Sequence, residues 1–290
     1  DMDTQIITPA HKDYPAAARR INRESPPTLY LRGLPLPELL AKRRVAIVGT
    51  RRITPYGRQV TTKIAKELAE QGIVIISGLA FGADAAAHRA CLDAGGITVA
   101  VLPSPVEMPM PEAHARLAEQ ILNQGGALIS TYPWSQEVHK GNFVERNSLV
   151  AALAEAVVVT EAATKSGTRH TMDFADQHSI PALAVPGPIT SPMSYMTNQY
   201  IKENKASVCT GAEDVLNALG LTFTAAHARR LHSRDPTEQM MLNLLSSGLS
   251  DGPELLVRSG LDVSRFNQVL SMLELSGKVQ ALGCNRWGIP

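Results

Sequence analysis

Short β-branched runs and amphipathic helical stretches take strict turns along the middle of this chain. Val45–Val48, Ile73–Ile76, Ile97–Leu102, Ala127–Ser130, Val157–Thr160 and Ala182–Val185 read as strands. Between them, Tyr56–Gln71, Gly82–Ala94, Glu112–Asn123, Asn142–Leu153 and Ser166–Gln177 carry helical spacing, the first ended by Gly72 and the third by Gly125-Gly126. Strands that are apolar along their whole length and separated by helices pack as a parallel sheet covered on both faces. The expectation is therefore an α/β fold: an extended Rossmann-like, doubly wound, mostly parallel sheet closing near Gly220.

Residues 1–44 are rich in proline and show little periodicity, so they read as an N-terminal arm leading into the core at 45–220. Residues 221–234 read as a linker bearing Arg229, Arg230 and Arg234. The pattern then changes. Helices at Thr237–Leu245, Pro253–Val257 and Ser264–Leu275 precede a hairpin, Val279–Leu282 with Arg286–Ile289, turning at Gly283-Cys284-Asn285. Helix-turn-helix followed by a hairpin is the winged-helix pattern, so 235–290 is expected to be a small winged-helix domain.

Charge enters through its distribution, because the net charge is only +1. Residues 1–60 hold eleven Lys/Arg against five acids, a balance of +6, which suits a local anionic partner or an ordinary solvated face. No apolar run approaches the roughly 18 residues that a membrane helix needs, and residues 1–15 have no apolar signal core. Cys91, Cys209 and Cys284 form neither a metal-binding pair nor an even disulfide set. A cytoplasmic protein with no membrane partner is expected.

In an open parallel sheet, ligands bind beyond the carboxyl ends of the strands. After Val48 comes Gly49-Thr50-Arg51-Arg52, a glycine turn followed by two permanent cations. After Ile76 comes Ser77-Gly78, and Gly82-Ala83-Asp84 opens the next helix. After Thr160 comes Glu161 and then Lys165-Ser166-Gly167-Thr168, where small residues at a helix start let backbone N–H groups approach an anion. Single glycines after strands are often only turns; three such strand ends on one edge point to anion binding.

The segment from Tyr132 to Asn147 interleaves Tyr132, Trp134 and Phe143 with Lys140 and Arg146, in a chain with only 4% aromatics. Aromatic faces stack unpaired bases while cations follow the backbone; equally, Trp134 and Phe143 could anchor a long loop to the core. Other chemistry is thin. Neither G-x-G-x-x-G nor G-K-[ST] occurs, so no cofactor is expected. Asp84 and His88 stand four apart, as metal ligands or as a helix cap beside a packed histidine, and the second reading is taken: no metal. Glu161 could be a general base, but no nucleophile accompanies it. Binding without catalysis is expected.

Val45-Ala46-Ile47-Val48-Gly49-Thr50-Arg51, Ser77-Gly78-Leu79-Ala80-Phe81-Gly82-Ala83-Asp84, Phe143 with Arg146-Asn147, Glu161-Ala162 with Lys165-Ser166-Gly167-Thr168, and Ala184-Val185-Pro186-Gly187 together resemble the DprA/Smf family. The resemblance runs from about residue 14 to 290, since that family often carries a winged helix. It implies a homodimer that binds and protects single-stranded DNA in a basic pocket and loads a RecA-type recombinase in natural transformation or recombination. By that resemblance the pocket uses Arg51, Lys140, Phe143, Arg146, Asn147, Lys165, Ser166 and Gly167. The strand-end reading adds Gly49, Arg52, Ser77, Gly78 and Thr168.

The chain departs from the family pattern at Pro103–Pro111, at Ser148 and at Arg169-His170. Two alternatives stay open on sequence. One is a nucleotide-binding protein or phosphoribohydrolase of the LOG type using Glu161. The other is a winged-helix regulator of duplex DNA, although 235–290 carries four basic against six acidic residues, a balance of −2 that suits phosphate poorly.

Overall fold

The structure is a computed structural model describing residues 4–289, apart from residues 165, 222–232, 234 and 284 and the side chain of Lys140. The chain divides between residues 223 and 224 into two compact units.

The first unit is built on one nine-stranded sheet. Its strands are β1 (Gln5–Ile7), β2 (Leu29–Gly33), β3 (Arg44–Val48), β4 (Val74–Ser77), β5 (Thr98–Leu102), β6 (Ala127–Ser130), β7 (Ala156–Val159), β8 (Ala182–Ala184) and β9 (Ser207–Val208). Their spatial order is β1-β2-β6-β5-β4-β3-β7-β8-β9, with β6 through β9 parallel and β1 and β2 antiparallel. The doubly wound α/β reading holds.

Two layers of helix cover the sheet, and the helices of this unit include α1 (Leu36–Leu40), after β2, and α4 (Ala115–Asn123), after β5. Val45, Ile47, Ile75 and Val158 pack into the same core cluster as Ile64, Leu68 and Ala87 of α2 (Pro55–Glu70) and α3 (Ala83–Asp93). Ala46, Val48, Ile76 and Val157 join Leu149, Met172 and Ala175, which come from α5 (Lys140–Ala152) and α6 (Thr168–Gln177). Successive side chains of a strand point to opposite faces, so neighbours such as Val45 and Ala46 feed different layers.

Residues 1–44 are more than an arm. Leu29 and Leu31 are buried, and β2 pairs with β6 in a register that sets Tyr30 opposite Ser130 and Gly33 opposite Ala127. A five-residue strand with only two inward side chains carries too little periodicity to stand out, and its partner lies far along the chain. The departure at Pro103–Pro111 also has a structural role: residues 103–106 are buried, Asn142 Nδ2 donates to Pro103 O at 3.1 Å, and Met110 N donates to Ser104 Oγ at 3.2 Å.

The chain runs from β3 outward through β4, β5 and β6, then returns to place β7 on the other side of β3. The β3–β7 boundary is therefore the topological switch point, where the loops leaving two adjacent strands part and open a crevice.

The second unit comprises helices Pro236–Ser246, Gly252–Ser259 and Val263–Leu275 and a hairpin of β10 (Gln280–Gly283) with β11 (Arg286–Gly288). Its core gathers Met241, Leu242, Leu255, Phe266, Leu270 and Leu273. Each helix opens on an aspartate whose side chain accepts backbone N–H bonds: Asp235 from Thr237 and Glu238, Asp251 from Glu254, and Asp262 from Arg265. Three of the six acids in residues 235–290 are thus spent on capping.

Candidate nucleic-acid interface

A pocket of about 330 Å³ occupies the switch point, lined among others by Gly49, Arg51, Arg52, Gly78, Arg146, Asn147, Ser166, Gly167 and Thr168. The loop after β3 forms one wall. Thr50 N donates to Glu161 O at 2.7 Å, Ala83 N donates to Thr50 O at 3.1 Å, and Arg52 N donates to Thr50 Oγ1 at 3.2 Å. The backbone is held on three sides while the side chains of Arg51 and Arg52 stay exposed. Arg51 places its guanidinium carbon 5.0 Å from the centroid of the Phe143 ring, within cation–π range.

Phe143 is half-buried, so it is neither a core anchor nor a bare surface ring. Its neighbours in the aromatic segment divide. Tyr132 is buried, its hydroxyl donating to Glu145 Oε2 at 2.9 Å, and burial together with Glu145 pushes its pKa up. Trp134 is exposed.

The opposite wall is the start of α6. Ser166 Oγ lies 2.7 Å from Thr168 Oγ1 and accepts from Thr168 N at 3.3 Å. Asn147 Nδ2 donates to Gly167 O at 3.1 Å, tying α5 to this turn. Gly167 is exposed and Thr168 buried. Arg169, at a departure from the family pattern, is exposed and pairs with Asp173 at 3.5 Å. Lys165 and the side chain of Lys140 lie outside the described residues.

Two expected ligand residues are tied into the scaffold, although Arg146 also lines the pocket. Arg146 is only 3% exposed; its Nη1 donates to Gly78 O and to Val101 O, the latter at 2.5 Å, and its Nε donates to Asn147 Oδ1 at 3.2 Å. Burial, opposed by Asp84 and reinforced by Arg51, brings the Arg146 pKa down to about 10. Gly78 separates Arg146 from Asp84: a Cβ there would stand 2.5 Å from the Arg146 guanidinium carbon and 2.6 Å from Asp84 Oδ2. Arg146 is a floor beam of the pocket, placing a buried positive charge beneath it. Ser77 is fully buried, donates to Ile47 O at 2.6 Å and does not line the pocket. It staples β4 to β3.

The candidate catalytic groups are also committed. Glu161 is 1% exposed; it accepts from Thr54 N at 2.9 Å and from Thr54 Oγ1 at 2.5 Å, while Thr54 Oγ1 caps α2 by accepting from Gly57 N at 3.0 Å. It is a clamp on the Arg51–Arg52 loop and lines no part of the pocket. Glu161→Ala is expected to cost about 1–3 kcal/mol, as for a buried hydrogen-bond partner removed, read as a lower urea midpoint. Asp84 accepts from Gly78 N at 3.1 Å and Ala80 N at 3.3 Å rather than from its own helix, and burial raises its pKa. His88 Nδ1 lies 2.7 Å from Thr98 Oγ1, and burial drives its pKa down to about 3, leaving a neutral packed imidazole. Among the described residues, no group of three or more His, Cys, Asp or Glu is placed to hold a metal.

Several lining residues carried no signal in the sequence, notably Val150, Thr171 and Met193. Met193 arrives from the loop after β8, where its carbonyl accepts from Ala162 N at 2.8 Å and its sulfur from Thr50 Oγ1 at 3.8 Å.

Residues 5–220 match the family DNA recombination-mediator protein A, and residues 224–283 match the DprA winged helix domain. The chain belongs to the DNA recombination-mediator protein A family. It is 31% identical to the DNA processing protein DprA of Bacillus subtilis over 219 residues, 76% of this chain and 72% of that protein. The structure of DNA processing protein A from Streptococcus pneumoniae superposes with a TM-score of 0.67 at 31% identity, covering 74% of both chains. That of DNA processing protein A from Helicobacter pylori, solved for its single-stranded DNA binding mode, gives 0.65 at 30% identity over 75% of this chain and 96% of that one. The DprA/Smf reading of the motifs and the reading of a C-terminal winged-helix domain both stand. No helix among the described residues is long and apolar enough to cross a membrane.

Proposed function

We propose that this chain binds single-stranded DNA in the crevice between β3 and β7, as a binding protein and not an enzyme. The observation that carries the reading is Arg51 held over Phe143 at the mouth of the switch-point pocket. A phosphate placed at Arg51 and Arg52 leaves the adjoining base beside the exposed part of Phe143, an arrangement that needs an unpaired base. The single-stranded DNA binding of the Helicobacter pylori relative supports it. The binding-only part of the reading draws support from Glu161, which lines no part of the pocket, and from Asp84, which lines it but has Oδ2 engaged by the amides of Gly78 and Ala80.

Fluorescence anisotropy with labelled single-stranded, duplex and mononucleotide ligands tests it. The single strand is expected to bind in preference to duplex, with log K falling against log salt at a slope of roughly −2 to −3 for three or four engaged phosphates. Equal affinity for duplex, or a flat salt response, overturns the reading.

A homodimer that hands the bound strand to a RecA-type recombinase completes the proposal. Two copies of the crevice on one strand raise the effective concentration of the second contact. The winged helix is assigned an auxiliary role. Among the described residues its four cations have partners: Arg258 with Glu254 at 3.8 Å, Arg265 with Asp235 at 3.3 Å, Lys278 with Glu238 at 4.0 Å, and Arg286 with the Ser250 hydroxyl at 2.9 Å.

A further inference from the structure

The turn after β4 presents an aromatic ring that the pocket described above does not use. Phe81 is 48% exposed, although its neighbours on either side are tightly held. Ala80 lines the pocket, and its N–H is fixed by Asp84. Gly82 has φ +80°, and a Cβ there would stand 2.2 Å from Thr50 O and 2.7 Å from Arg51 O. The Phe81 turn and the Arg51 loop are thus in backbone contact, and only glycine permits it.

Leu79, fully buried, takes φ +58°, a conformation that L residues seldom adopt and that costs free energy unless the surroundings impose it. Its carbonyl accepts from His114 Nδ1 at 2.7 Å, and the His114 ring backs Phe81 with centroids 4.6 Å apart and planes tilted by 56°. His114 is itself buried. Phe81 is therefore buttressed by His114, half-exposed, and next in the chain to Gly82, which abuts the Arg51 backbone. A solvent-facing apolar ring held this rigidly gains nothing for the core. It loses little freedom on meeting a ligand.

We propose that Phe81 is a second base-stacking platform, so that the site takes at least two consecutive nucleotides of an unpaired strand, one at Phe143 and the next across Arg51 at Phe81. This rests on the single-strand reading above. Every base has a π-face, so the platform accepts any sequence, and the phosphate between the two bases falls at Arg51.

The test titrates a fluorescein-labelled oligothymidylate against wild type, Phe81→Leu, Phe81→Trp and Arg51→Ala, each checked for an unchanged melting temperature. Phe81→Leu is expected to bind about tenfold more weakly, the loss of one stacked base, while Phe81→Trp keeps wild-type affinity. The indole emission of Phe81→Trp is expected to be quenched on binding beyond the change seen in wild type. Leu and Trp variants of equal affinity, with Arg51→Ala weakened, overturn the Phe81 platform and leave the single-strand reading in place. Wild type that fails to bind the strand overturns both. A lowered melting temperature in Phe81→Leu with unquenched Phe81→Trp makes Phe81 a structural residue and also overturns the proposal.

Discussion

Arg51→Ala is expected to weaken single-stranded DNA binding by about tenfold to a hundredfold, the value of a hydrogen bond to a charged group lost from a site. The side chain is exposed, and among the described residues none of its hydrogen-bond donors is spent on the fold, so the loss falls on the ligand and not on stability. Losing one phosphate contact also makes the slope of log K against log salt shallower by about 0.7. Phe143→Ala separates the two halves of the contact. It removes the ring beneath the guanidinium, so affinity falls while the salt slope stays close to that of wild type, because stacking releases no counterion. Anisotropy titrations at several salt concentrations distinguish these outcomes. An Arg51→Ala variant with wild-type affinity and slope would place the strand elsewhere on the molecule.

Arg146→Ala is expected to destabilise the first unit by about 3–5 kcal/mol, a large share of the stability of an ordinary domain. The substitution strips two buried carbonyls, Gly78 O and Val101 O, of their donor and leaves Asp84 without its nearby positive charge. The deficit carries a pH signature. The Asp84 pKa already lies above the ordinary carboxylate value, because burial outweighs Arg146 and the two amides that bond it. The native state then holds the proton more tightly than the unfolded chain, and the stability due to this group falls as pH rises from the ordinary value through the raised one. Removing Arg146 raises the native value further and extends that window upward. The variant should therefore be closer to wild type at mildly acidic pH than at neutral pH, measured by urea denaturation at both. An equal deficit at the two values would show that Arg146 acts through its hydrogen bonds alone.

The two arginines show where reading the chain stops. Arg51 and Arg146 both sit beside strand-end or helix-start motifs, and both belong to the set that the family resemblance places in a DNA pocket. One is exposed on the rim; the other is 3% exposed beneath it. Which is which depends on Gly78 and Val101, residues from two other strand ends, and no local pattern around Arg146 announces them. Ser77 and Glu161 follow the same logic. A hydroxyl after a strand or a carboxylate at a strand end can face the crevice or turn back to staple a neighbouring loop. Ile47 O and Thr54 decide the matter from distant positions.

What this sequence determined alone is what depends on near neighbours. Periodicity of two and of 3.6, glycine after strands and aspartate before helices are local signals. They were enough for the mostly parallel sheet, for the winged helix and for marking the loops after β3, β4 and β7 as candidate anion sites. The tertiary structure decided the rest: the strand β2 joining β6, the division of polar residues between rim and scaffold, and the approach of Gly82 to Thr50 that brings the Phe81 turn against the Arg51 loop. Each of these is a contact between residues far apart in the chain. Its free energy comes from burial and from pairing buried polar groups, quantities that exist only once the sheet has brought the loops together.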